Sequence, residues 1–313
     1  MRYIGELREG DRVSEVYLCK QKVVAKTKAG KTYYSLILQD KSGVIDTKIW
    51  DLNNGIAHFE QMDYVKVDGS VTSFQGSLQL NVHRLRKAAE GEYDQKEYIP
   101  CSPHDIDEMY RELTGFVNRI QNRYLRKLLV VFFGDQEFAE RFRAHSAAKR
   151  VHHGYMGGLL EHTLHVTKLC DYYCGLYPVL NRDLLITAAI CHDIGKLDEL
   201  SAFPENDYTD EGQLLGHIVI GLLMVDEKIR EIEGFPVKLA NELKHCIAAH
   251  HGELEFGSPK KPALIEAMAL HFADNTDAKM ETFMEALAEE NTNSGEWRGF
   301  HRLLDSNIRS TGQ

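Results

Sequence analysis

A small β-barrel followed by an all-α domain is the fold class this sequence of 313 residues predicts. Three observations predict it. The first ninety residues fall into five short segments rich in β-branched and aromatic residues, a polar stretch then breaks the pattern, and apolar residues recur at helical spacing from about residue 104 onward. The expected division is 1–87 for the barrel, 88–103 for a linker and 104–313 for the helical domain.

Val13–Val24, Tyr33–Gln39, Val44–Trp50, Tyr64–Thr72 and Leu78–Leu85 read as strands. Ala29-Gly30-Lys31, Asp40-Lys41-Ser42-Gly43 and Gln75-Gly76-Ser77 supply turn signals between them. Polar–apolar alternation in Val65-Lys66-Val67-Asp68 and Leu78-Gln79-Leu80-Asn81-Val82 suits a sheet with one buried face. Five strands with a helical stretch near Ile56 to Met62 match an OB-type barrel. The stretch AAEGEYDQKEYIPCS reads as the linker. Beyond it, Pro103-His104-Asp105 opens a helix whose Ile106, Met109, Tyr110, Leu113, Phe116, Val117 and Ile120 share one side.

Charge divides along the same line. Residues 1–87 carry 14 Lys and Arg against 10 Asp and Glu, leaving 23 basic against 37 acidic residues for the remainder, within a net charge of −10. A mildly basic module beside an acidic one fits a strand-holding platform next to a site that collects cations. No run of eighteen apolar residues and no signal-peptide pattern is present, so a cytosolic protein without a membrane span is expected. Cys19, Cys101, Cys170, Cys174, Cys191 and Cys246 form no C-x-x-C pair and read as reduced, mostly buried thiols.

The chemistry-bearing residues lie in the helical part. Counting by helical steps puts Asp193 on one stripe with Ile186, Ala189 and Ile190, where a carboxylate is tolerated if it ligates a cation and otherwise is costly or takes up a proton. His162 lies between Leu159 and Val166. Asp274 shares a stripe with Ala267, Leu270 and His271, and His217 with Leu214, Gly221 and Met224; His250-His251 end a helix behind Leu243, Cys246 and Ile247. A single inward histidine is usually a hydrogen-bonded core residue. Five helices that each bring a ligand-type residue inward point to a metal site.

The order His162, His192-Asp193, Asp274 resembles the signature of the HD superfamily of helical metal-dependent phosphohydrolases, and His217 with His250-His251 resembles its two-metal branch. That resemblance implies a shared Asp193, with His162, His192 and Asp274 on one ion and His217 with His250 or His251 on the other. Mixed imidazole and carboxylate donors suit manganese first, then iron, cobalt or zinc. Two such ions about 3.5–4 Å apart activate a bridging water and offset phosphoryl charge. Lys196, one turn past His192, is in reach of a non-bridging oxygen. His152 and His153, before Gly154-Tyr155-Met156-Gly157-Gly158, are candidates for phosphate or terminal-nucleotide contact. His165 and His271 sit one turn from ligands and read as packing or supporting residues.

The run YYSLILQDKSGVIDTKIWD resembles OB domains fused to nucleic-acid enzymes. Such barrels hold single strands with aromatic rings and a basic groove, so Tyr33, Tyr34, Trp50 and Phe74, with Lys26, Lys28, Lys31 and Lys48, are the candidate strand contacts. Core packing is the competing reading of each aromatic. Taken together, the barrel and the motifs HHGYMGGLLEHT, CHDIGK, LLGH, AHHGELEFGSPKKP and LHFADNTDAKM resemble the YhaM-type exoribonucleases over nearly the whole chain. The resemblance implies removal of nucleotides from the 3′ end of single-stranded RNA, and of DNA, as nucleoside 5′-monophosphates. A hydrolase of a small nucleotide or cyclic dinucleotide and a catalytically silent strand-binding factor remain as alternatives, and a homo-oligomer stays open. Residues 291–313 suggest no role.

Overall fold

The structure, a computed structural model, describes residues 1–27, 30–52, 55–74, 77–149, 153–288 and 296–311. Two compact units divide the chain: residues 1–101 with 203–205, and residues 102–202 with 206–313.

The first unit is a closed barrel of β1 (Arg12–Lys26), β2 (Thr32–Asp40), β3 (Gly43–Ile49), β4 (Tyr64–Phe74) and β5 (Ser77–Lys87), in the order β1-β2-β3-β5-β4. Closure comes from the antiparallel pairing of β1 with β4 and the parallel pairing of β3 with β5. This Greek-key arrangement of five strands is an OB-type barrel. Alternation sends Leu36, Leu38, Ile45, Ile49, Val65, Val67, Leu80 and Val82 into the core. Each such side chain stabilises the fold by roughly 1.5–3 kcal/mol relative to exposure.

Two expectations for this unit are corrected. No helix forms over Ile56 to Met62. Ile56 bridges to Leu85, the Ala57 N–H donates to the Leu85 carbonyl, and Phe59 plugs the barrel core. A ladder partner and a buried ring outweigh one isolated helical turn, whose nucleation is unfavourable. Most of the expected linker is also packed. Ala88 and Tyr98 form a cluster with Val16, Leu18 and Tyr64, and Tyr93 stacks on Tyr64 with ring centroids 3.9 Å apart. Tyr93 and Tyr98 cover apolar surface on the outside of β1 and β4.

The second unit contains α1 (Ile106–Asn118), α2 (Arg123–Phe133), α3 (Gln136–Ala144), α4 (Gly158–Leu176), α5 (Arg182–Cys191), α6 (Lys196–Glu199), α7 (Asp210–Arg230), α8 (Val237–Ala248) and α9 (Ile265–Ala288). Side-chain caps start several of them: Asp105 accepts from the Glu108 N–H, Asn181 from that of Leu184 and Thr209 from that of Gly212. The core runs through Leu113, Leu128, Leu160, Leu185, Ile190, Ile247 and Leu270. An antiparallel ribbon of β6 (Trp297–His301) and β7 (Ser306–Arg309) follows α9, so the expected all-α domain carries a β-hairpin in the stretch to which the sequence assigned nothing.

Candidate metal centre

Two chain reversals and three long helices build the site. Beyond α5, His192 and Asp193 stand in the turn that leads to α6. Asp193 therefore lies past the end of the stripe it was expected to share with Ile186 and Ala189. His250 and His251 stand likewise in the turn beyond α8, while His162 comes from α4 and Asp274 from α9. His217 belongs to α7, but Gly216 there is non-helical (φ 72°, ψ 157°) and kinks the helix. The kink leaves Leu214 in solvent, off the stripe it was expected to share with His217. It also frees the His217 N–H to donate to Glu199 Oε1 at 3.0 Å.

Close packing of backbone sets the spacing. A Cβ at Gly195 would overlap the carbonyl oxygen of His217 and come within 2.5 Å of the Gly221 nitrogen. Only a residue without a side chain lets the turn carrying Asp193 lie directly on α7.

Each imidazole of the cluster is fixed through Nδ1. His192 Nδ1 lies 2.7 Å from the Ala189 carbonyl, His250 Nδ1 2.7 Å from that of Ile247 and His251 Nδ1 2.8 Å from that of Phe256. His162 Nδ1 is 2.7 Å from Asp277 Oδ2, and His217 Nδ1 is 3.0 Å from Glu199 Oε1. Carbonyls and carboxylates only accept, so each Nδ1 carries the proton. Each ring, when neutral, then aims the lone pair of Nε2 into the site.

The converging atoms are spaced as around a cation. His162 Nε2 is 3.2 Å from His192 Nε2, 3.4 Å from Asp193 Oδ2 and 3.2 Å from Asp274 Oδ1. On the other side of Asp193, Oδ1 lies 3.5 Å from His217 Nε2 and 3.7 Å from His250 Nε2. Donor atoms about 2.1 Å from one ion stand about 3.0–3.4 Å from each other, depending on geometry. Asp193 Oδ1, His217 Nε2 and His250 Nε2 are buried without any hydrogen-bond partner. Acceptors brought together in this way repel unless a cation lies among them. The donor sets His162, His192, Asp193 and His217, His250, His251 each fit a divalent metal.

Charge in the site is correspondingly displaced. Burial alone would raise the Asp193 carboxyl, but Lys196, His192 and His162 hold it well below the usual carboxylate range. Lys196 Nζ lies 2.7 Å from Asp193 Oδ2. Burial, then the neighbouring His192 and His251, push His250 well below the ordinary imidazole value. His162 moves the other way: burial opposes the charged ring, yet Asp193, Asp274 and Asp277 together raise it well above.

Asp277 and Glu199 were missed in the sequence. Asp277 takes His162 Nδ1 at 2.7 Å, His153 Nε2 at 2.9 Å and His165 Nδ1 at 2.9 Å. Those contacts have hydrogen-bond length, shorter than ligand-to-ligand spacing, so this second cluster of histidine and carboxylate positions the first. The signal lay in the three-residue interval from Asp274 to Asp277 on one helix, as it did in that from Lys196 to Glu199. His153, expected at a phosphate, is instead fully buried, with Nδ1 3.0 Å from the Tyr155 hydroxyl. Positive φ at His153 turns its ring inward before α4. His152 lies outside the described residues. His271 donates from Nδ1 to the His250 carbonyl at 2.9 Å and so supports the loop that bears a ligand.

On the barrel, Tyr33 and Trp50 stack with centroids 4.6 Å apart, and Trp50 Nε1 donates to Asn81 Oδ1 at 3.0 Å. Trp50 is 45% and Phe74 59% exposed. Tyr34 differs from expectation: its ring packs on the core edge-to-face with Phe59, beneath the Lys22 ammonium. Lys48 likewise is engaged, by Asp46 Oδ1 and Ser35 Oγ at 2.7 Å each, because it shares a strand face with Asp46. Lys26 and Lys31 are exposed, and Lys28 lies outside the described residues.

Helices, and the turns that follow them, presenting paired histidine and aspartate donors define a metal-binding protein of the HD class, here joined to an OB-type barrel. The HD domain family model matches residues 159–279, which contain every one of these donors. The 3'-5' exoribonuclease YhaM of a Geobacillus species is 35% identical over 312 residues, covering 96% of this chain and 94% of that one. Its namesake from Bacillus velezensis is 34% identical over 290 residues, covering 92% and 91%. The chain belongs to the YhaM 3'-5' exoribonuclease family. Among solved structures, the second OB-fold domain of replication protein A from Methanococcus maripaludis covers 30% of this chain at 19% identity, and 98% of that one. The TM-score is 0.24.

Proposed function

We propose that this chain is a divalent-metal-dependent 3′–5′ exoribonuclease that also accepts single-stranded DNA and releases nucleoside 5′-monophosphates. The observation that carries the reading is the trio of buried, partnerless acceptors Asp193 Oδ1, His217 Nε2 and His250 Nε2, beside which His162, His192 and Asp274 converge on the other carboxylate oxygen. His162, His192, Asp193 and Asp274 would hold one ion, and His217, His250 and His251 with Asp193 a second. Imidazole and carboxylate together favour manganese, with iron, cobalt or zinc as alternatives. When bound, such a pair supplies an activated water and offsets charge on the phosphoryl oxygens.

The chain's own residues do the rest. Lys196 is placed to move from Asp193 to a non-bridging oxygen as negative charge builds there. Asp277 and Glu199 keep His162 and His217 in the tautomer that offers Nε2. The bond from the last phosphorus to the 3′ oxygen of the penultimate nucleotide breaks, and water's oxygen goes to the released 5′-phosphate. Tyr33, Trp50 and Phe74, with Lys26 and Lys31, form the strand platform on the barrel. We place the activity in the cytosol, consistent with six cysteines that all remain thiols; no helix among the described residues is long and apolar enough to cross a membrane.

The test is single-stranded RNA labelled at its 5′ end, incubated with the purified chain and manganese. Progressive shortening, absent with Asp193→Ala and in chelator, is the expected result. An intact strand together with hydrolysis of free nucleotides would favour a small-nucleotide hydrolase. An intact strand that is bound but never cleaved would favour a silent binding factor.

A further inference from the structure

One aromatic ring beside the metal centre has no part in holding a metal. A cavity of about 240 Å³ opens at the centre, and Asp193, Lys196, Asp274, Phe256, His271 and Asn275 are among its lining residues. That volume is below the roughly 300–1,000 Å³ of a drug-sized pocket, which suits the end of one strand rather than several nucleotides. In a wall otherwise dominated by charged and polar groups, Phe256 stands 66% exposed. No ring among the described residues stacks on it.

The ring is presented by a firmly tied loop. Leu254–Phe256 form a single 3₁₀ turn closed by Gly257 in the left-handed conformation (φ 82°). The Phe256 N–H donates to the Glu253 carbonyl at 3.1 Å, and Ser258 Oγ donates to the Ala248 carbonyl at 3.1 Å. The Phe256 carbonyl itself accepts from His251 Nδ1 at 2.8 Å. One residue thus fixes a candidate metal ligand through its main chain and offers a flat apolar face to the same cavity through its side chain.

We propose that Phe256 is the stacking surface for the base of the 3′-terminal nucleotide, holding that nucleotide while its phosphate lies at the metal centre. A phenyl ring reads a base by its plane and carries no donor or acceptor, so the subsite accepts all four bases, as progressive shortening of mixed sequence requires. Asn275, on the same wall, is the neighbouring amide able to meet a base edge or sugar hydroxyl. The proposal rests on the exonuclease reading for its substrate, and its test separates the two.

Two RNA strands are compared, one ending in an ordinary 3′ nucleotide and one in a 3′ abasic nucleotide. The native chain should prefer the base-bearing end by about tenfold in kcat/KM, Phe256→Ala should bring that preference towards one, and Phe256→Trp should keep it. A Phe256→Ala chain that keeps the native preference overturns the proposal. So does a loss of the same factor on both ends, which would assign the ring only to keeping in place the loop whose carbonyl holds His251. Calorimetry with manganese-loaded protein supplies a readout without turnover: AMP should bind about tenfold more tightly than ribose 5-phosphate, and Phe256→Ala should abolish the difference. If the native chain shortens neither strand, the exonuclease reading fails, while the AMP comparison still decides the subsite. Equal affinity of the native chain for the two monophosphates overturns the subsite whatever the strands show.

Discussion

In the helical unit each imidazole of the site is pinned at Nδ1 by an acceptor, whereas on the barrel Trp50 is held by one hydrogen bond to Asn81 and Phe74 stands largely in solvent. The contrast follows from the task. Metal chemistry requires atoms fixed to within tenths of an ångström, and the fold surrounds them with carboxylates and carbonyls. Strand binding requires a plane and a positive charge, which a ring on a barrel face and an exposed lysine supply with little support.

Removing Asp193, the proposed shared ligand, is the sharpest way to break this contrast. Asp193→Ala should lower exonuclease kcat/KM by at least about a hundredfold, the scale of one lost electrostatic stabiliser in a water-excluded site; activity within tenfold of native would place the chemistry elsewhere. Next in size, Asp277→Asn keeps the volume of the side chain but loses the charge that faces three imidazoles. Manganese affinity measured by calorimetry should fall about 10- to 100-fold while circular dichroism stays native. An unchanged affinity would show that His162 needs no support.

Proton release sharpens the same half. His162 is raised above the ordinary imidazole value in the metal-free chain, whereas His250 and His251 are lowered and so are neutral near pH 7. A cation at His162 Nε2 must displace a proton, so affinity should rise with pH until His162 is deprotonated without metal. Calorimetry in buffers of different ionisation enthalpy should count at least one proton released per chain, and none would contradict the assignment. On the barrel the effects should be smaller. Trp50→Ala should weaken strand binding about tenfold in a fluorescence titration. Lys26→Ala with Lys31→Ala should weaken it less and reduce its dependence on salt, whereas an unaltered salt slope would remove those lysines from the groove.

Much of the barrel was legible because alternation and turn signals are local: all five strands form where Val13–Val24 through Leu78–Leu85 were read. The segment around Phe59 was not, since its conformation depends on a backbone partner at Leu85 and a core to fill, both remote in sequence. In the helical unit, residue type and order announced His162, His192, Asp193, His217, His250, His251 and Asp274, which the structure brings together. Helical counting misplaced Asp193 and Leu214 because α5 stops at Cys191 and Gly216 kinks α7. Asp277, Glu199 and the burial of His153 escaped notice because a three-residue interval gives only the position of a supporting residue, whereas its role is defined by its partner's orientation. On the barrel, exposure separated Trp50 and Phe74 from Tyr34, and a neighbouring acid neutralised Lys48.

The missing side chain at Gly195 reaches beyond packing. Because main chain rests on main chain there, the separation between the turn that bears Asp193 and the helix that bears His217 is a ruler made of peptide. A single methyl group at position 195 would force that turn and α7 apart, and with them the donor atoms they carry, before it changed any side chain of the site.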